Sequence, residues 1–61
     1  MKGANNMSAA YYHLYERKIK RKNDSEERVT EMIDVAYNAG LLTVGEYNNL
    51  VTLIAEVYGE N

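Results

Sequence analysis

The sequence predicts an all-α protein of three short helices, at about 8–22, 25–39 and 44–58. Three observations carry that prediction. Apolar residues recur at helical rather than strand spacing through the middle and C-terminal thirds. Each of those stretches opens on a capping residue and is followed by glycine. The chain has no proline and four glycines, while the helix formers Lys, Glu, Ala, Leu and Met are common.

The start of the chain, residues 1–7, reads as a flexible tail ahead of a single helical domain over 8–61. Met7-Ser8-Ala9 offers a second translation start, which would make residues 1–6 dispensable. In the first helix Met7, Tyr11, Leu14, Tyr15 and Ile19 share a face. That face gives out after Ile19, where Lys18 and Lys22 intrude on it. No Gly or Pro lies between Lys22 and Asp24. The chain either turns at Asn23–Asp24, as a cap at Asp24 favours, or runs on as one long rod.

The middle helix opens at Asp24 or Ser25, with Glu26 and Glu27 in the first turn, where the positive end of the helix dipole favours acids. Asp24 with Glu27 has capping-box spacing. The apolar face is Val29, Met32, Ile33, Ala36 and Tyr37. Gly40 then stands where a left-handed terminal residue is required, and Leu41 follows as the apolar contact of a Schellman ending. The last helix has the clearest start: Thr43 and Glu46 form a capping box, and Leu42 with Tyr47 has the spacing of a hydrophobic staple. Its apolar positions are Tyr47, Leu50, Val51, Ile54, Val57 and Tyr58, and Gly59 is its stop. Two helices of about 22 Å joined by so short a connection are expected to form an antiparallel αα-hairpin.

The width of the apolar stripes adds a constraint. Counting Val35 and Ala39, the middle helix has a stripe of roughly 200°, about twice what a single-faced helix buries. With Val44, Leu53 and Ala55 the last helix is similar. Two helices cannot bury such stripes against each other, so a third layer is required. The expected third layer is a second copy of the chain, because helix 1 offers apolar surface over only its first turns. The positions expected to mediate self-association are Val35, Leu50, Leu53 and Val57.

The stretch Tyr37-Asn38-Ala39-Gly40-Leu41-Leu42-Thr43-Val44-Gly45-Glu46-Tyr47 resembles the short C-terminal helical module often called SHOCT. That module reads as an aromatic, two residues, Gly-Leu-Ile-Thr, two residues, then Glu and an aromatic. Tyr37, Gly40, Leu41, Leu42, Thr43, Glu46 and Tyr47 match it, and beyond them this chain has Leu50 and Val51 where the module continues with lysines. The resemblance implies an oligomerisation or docking hairpin. Small acidic helical chains of this kind also look like the accessory proteins of phages and prophages.

Composition narrows the functions. A chain of 61 residues holds one domain and buries only about 60% of its unfolded surface. With no cysteine, neither a disulfide nor a thiolate zinc site can reinforce it, and the lone His13 cannot build a histidine-rich site. Oligomerisation or docking is the reinforcement left. No apolar run approaches the roughly 20 residues of a membrane span. Together with the lack of cysteine and of an apolar signal core, this predicts a soluble, cytoplasmic protein.

No catalytic constellation is evident. His13 has no nucleophilic Cys, and Ser8 lies one and a half turns away with no orienting acid. Glu27, Glu31 and Asp34 read as a solvated face rather than a hard-metal site, and no glycine-rich phosphate loop is present. The chain is expected to be no enzyme and to need no cofactor or metal.

Charge is the remaining clue. Residues 1–28 hold all seven Lys and Arg against four acids, a net of +3, whereas residues 29–61 hold five acids and no base, a net of −5. The basic run Arg17-Lys18-Ile19-Lys20-Arg21-Lys22 lies beside Tyr11, Tyr12 and Tyr15. The favoured reading is a small non-catalytic interaction or regulatory protein. Its hairpin would self-associate, and Tyr12, Tyr15, Arg17, Lys18, Lys20, Arg21 and Lys22 would be presented to a protein target. The alternative is a DNA- or RNA-binding regulator, with the basic run on phosphates and the tyrosines stacking on bases.

Overall fold

The computed structural model describes residues 3–59, and side chains from Ala9 onward. Among the described residues there are three helices and no strand: α1 (Gly3–Arg21), α2 (Glu26–Asn38) and α3 (Val44–Tyr58). Helix α1 therefore begins at Gly3, ahead of the expected start near residue 8. Met1, Lys2 and the side chains of Met7 and Ser8 lie outside the described residues.

Helices α1 and α2 are separate. The break is made by Lys22, which adopts φ 57° and is the one non-glycine residue with positive φ among the described residues. Its N–H donates to the carbonyl of Ile19 at 3.0 Å, tightening the last turn. A lysine here carries the steric cost that a glycine would avoid. The cap of α2 is Ser25, whose hydroxyl accepts from the N–H of Arg28 at 3.1 Å. Asp24 is not the cap: its carboxylate pairs with Lys18 at 3.4 Å and its carbonyl accepts the Tyr58 hydroxyl at 2.7 Å. The local Asp24–Glu27 pattern is thus overruled by contacts to α1 and α3.

The end of α2 is a Schellman motif. The Leu41 N–H donates to the Ala36 carbonyl at 2.9 Å and the Gly40 N–H to the Tyr37 carbonyl at 3.0 Å, with Gly40 at φ 82°. Three residues after Gly40, Thr43 and Glu46 close the capping box: the Glu46 N–H donates to the Thr43 hydroxyl at 3.1 Å and the Thr43 N–H to the Glu46 carboxylate at 2.9 Å. Gly59 terminates α3 with φ −80°, so the left-handed conformation is not used there. At one end of the helix pair the Tyr37 and Tyr47 rings stack at 4.8 Å, and the Tyr47 hydroxyl donates to the Asp34 carboxylate. At the other, Tyr58 of α3 reaches back to Asp24, just before α2 begins.

All three helices supply the core: Ile19 from α1, Val29, Ile33 and Ala36 from α2, Leu42 from the connection, and Leu50 and Ile54 from α3. Ile19 is fully buried. Helix α1 therefore supplies a third layer against the wide stripes. Leu50, expected at a self-association surface, is 0% exposed inside one chain and unavailable to a partner. Leu53 and Val57 are half-buried against the core. Val35 lies about 120° round from Val29 and is 61% exposed.

The inward face of α1 also differs from the expected one. It is centred on Tyr15 and Ile19, so Tyr11 and Tyr12 flank it on either side and both pack against the core. Leu14 instead points outward and is 45% exposed. No helix among the described residues is long and apolar enough to cross a membrane.

Candidate protein-docking surface

The expected partner-binding residues fall into two groups. Most are engaged within the chain. Tyr12 and Tyr15 pack against the core, and Tyr15 stacks on Tyr11 at 6.4 Å. Lys18 pairs with Asp24, Lys20 with Glu16 at 3.5 Å, and the Lys22 ammonium sits 5.7 Å from the Tyr58 ring centre. Lys18, Lys22, Asp24 and Tyr58 thus tie the end of α1 to the end of α3. Glu16 also meets His13 at 3.2 Å. The hydrogen bond from His13, aided by the charge of Lys20, holds the Glu16 carboxyl below its usual range despite some desolvation.

The second group is Arg17 and Arg21, both exposed and with no carboxylate within salt-bridge distance among the described residues. They belong to a stripe on the outer side of α1: Leu14, Arg17, Lys18 and Arg21, at helical spacing i, i+3, i+4, i+7. With Tyr15 these residues line a shallow concavity of about 230 Å³. A second stripe with the same spacing runs along α2: Arg28, Glu31, Met32 and Val35. With Tyr15 it lines a concavity of about 410 Å³ between α1 and α2. Tyr15 is the shared wall. The result is one amphipathic surface, apolar along Leu14, Tyr15, Met32 and Val35, and flanked by three arginines.

Arg28 escaped the sequence reading because it sits in the first turn of α2 and apart from the basic run. Its signal was the stripe 28, 31, 32, 35, which leaves the buried face of the helix and ends on the exposed Val35.

Elsewhere Glu26, Thr30, Val51, Ile54 and Ala55 line a smaller hollow of about 180 Å³ between α2 and α3. Val51, expected on the apolar face, lies at its edge and is largely exposed, as is Val44. His13 touches Glu16 and the Tyr12 ring, an arrangement that positions no nucleophile. Asp34 accepts from Tyr47, and no group of three potential metal ligands occurs among the described residues. Comparison with protein-family models, with curated proteins and with solved structures gave no match.

Proposed function

We propose that this is a small non-catalytic interaction protein that docks a protein target on the surface shared by α1 and α2, with the α2–α3 hairpin as the scaffold that holds α1 in place. The observation that carries the reading is the meeting of two amphipathic stripes at Tyr15. They leave Leu14 and Val35 exposed beside arginines that have no carboxylate within salt-bridge distance among the described residues. Exposed apolar side chains set among arginines match the composition of protein contact sites. The nucleic-acid reading has less support. Its stacking tyrosines pack against the core, and Lys18, Lys20 and Lys22 are occupied internally. Self-association has Val44, Val51 and Val35 as its exposed apolar residues.

Site-specific photo-crosslinking in the producing cell tests the proposal. A photoreactive residue at Leu14 or Val35 is expected to give a discrete protein adduct, and one at exposed Asn49 of α3 is expected to give none. Equal adducts from all three positions, or none, overturn the proposal. A nuclease-sensitive adduct supports the nucleic-acid reading instead, and an adduct of twice the chain mass supports a homodimer.

A further inference from the structure

We infer that the occupant of the α1–α2 surface is an acidic amphipathic helix, which lays an apolar stripe on Leu14, Met32 and Val35 and turns carboxylates toward Arg17, Arg21 and Arg28. The inference rests on the docking reading above and adds the chemistry of the partner.

The shape comes first. The surface is bounded by two helical stripes, 14–21 and 28–35, each spanning about 10 Å of helix. A helix seated between two helices buries apolar residues at i, i+3, i+4 and i+7 against both, which is the usual way a helical surface takes a helical partner. An occupant of two to three turns would cover it.

Charge then selects the face the occupant shows. The lysines of the basic run are neutralised by Asp24 and Glu16 or laid on Tyr58. Arg17, Arg21 and Arg28 form no ion pair among the described residues. Arginine is the side chain that takes carboxylates in a bidentate geometry and loses least on leaving water. Arg21 in the last turn of α1 and Arg28 in the first turn of α2 flank the short connection between the helices. The positive charge is therefore concentrated at one end of the surface, and Val35, at the far end of the α2 stripe, is apolar. Glu31 is the carboxylate in the α2 stripe, and it disfavours an acid directly opposite. The occupant should therefore be directional, with its carboxylates gathered toward the Arg21–Arg28 end.

The chemistry also argues for protein over nucleic acid. A phosphate backbone would use the arginines but would leave Leu14 and Val35 in water and bring its charge against Glu31. A helix with both an apolar and an acidic side uses the whole surface.

The test is fluorescence anisotropy with the full chain and a labelled peptide of about 18 residues, with leucines at i, i+4, i+7 and i+11 and glutamates on the flanks. Expected is saturable micromolar binding that weakens about tenfold with Val35→Asp and with Arg21→Glu, and that falls with added salt. Both positions are exposed, so circular dichroism should be unchanged, and Leu14→Asn serves as a third variant. A permuted peptide of the same composition, a lysine analogue and a DNA duplex should each bind about tenfold more weakly or worse. No saturation up to about 1 mM, equal binding of the permuted peptide, or tighter binding of the duplex overturns the inference. If photo-crosslinking at Val35 captures a protein while this peptide fails, the docking reading stands and the acidic-helix inference falls. If both fail, both fall.

Discussion

In α2 and α3 local signals close the helix ends: Ser25 starts α2, Gly40 and Leu41 end it, and Thr43 with Glu46 starts α3. Helix α1 is built differently. Its sequence has no acid in the first turn, and it stops at a lysine forced to φ 57°. Local pattern therefore specifies α2 and α3, whereas α1 is held by tertiary contacts: Ile19 in the core, Lys18 on Asp24, and Lys22 over Tyr58. The difference bears on function. A helix positioned by packing on one side can devote the other side to a partner, and that outer side carries Leu14, Arg17 and Arg21.

The sharpest way to break this contrast is to ask whether α1 is a full layer or an appendage. Ile19→Ala and Leu50→Ala each remove a fully buried side chain. Each is expected to cost about 2–5 kcal/mol, enough to unfold most of a domain this small. Urea denaturation followed by circular dichroism checks it. If Ile19→Ala costs under about 1 kcal/mol and leaves a cooperative transition for α2–α3, then α1 is peripheral.

The two left-handed positions sharpen the contrast at smaller magnitude. Gly40→Ala meets no atom within 4 Å, so its cost is the backbone conformation alone, about 1–2 kcal/mol. Lys22→Gly removes the same kind of penalty from the end of α1. It gives back part of the gain through a more flexible unfolded chain and the lost contact with Tyr58, leaving a net change within about 0.5 kcal/mol. Thermal melts of the two variants check the pair. A loss on Lys22→Gly as large as that on Gly40→Ala would mean that the Lys22–Tyr58 contact holds α1 more firmly than its distance implies.

The same division explains what was legible in the sequence. The capping box and the Schellman glycine lie within four or five residues of their partners, so both could be read locally. The seven residues that resemble the short helical module are largely those that end one helix, start the next and stack Tyr37 on Tyr47. That is sufficient local reason for the pattern, whatever the ancestry. What could not be read locally depends on three helices meeting. A single stripe does not tell which part of it faces which neighbour, so Leu50 passed for interface while it is core. The face of α1 was centred one way by Leu14 and turned the other way by Ile19 in the packed structure. Asp24 looked like a cap until Lys18 and Tyr58 claimed it. Arg28 lines the concavity with Tyr15 only because α1 lies beside α2.

The smallest expected effect is a pH dependence written into the α2–α3 contact. The hydrogen bond to Asp34, followed by desolvation and the neighbouring charges, raises the Tyr47 hydroxyl above its ordinary value. Burial, followed by the charges of Asp24 and Glu26, does the same for Tyr58. A group whose pKa is higher folded than unfolded stabilises the fold while protonated in both states. That contribution is complete below the unfolded value, near 10 for tyrosine, and is lost as pH rises through the higher folded value. Stability measured from about pH 9 to about pH 11 should therefore fall more steeply for the natural chain than for either Tyr47→Phe or Tyr58→Phe. At neutral pH, where that contribution is complete, Tyr47→Phe is less stable than the natural chain, because Asp34 loses its donor. Parallel pH profiles for the natural chain and Tyr47→Phe would mean that the Tyr47–Asp34 bond does not join α2 to α3 in solution, and α2–α3 would then depend on its caps and core alone.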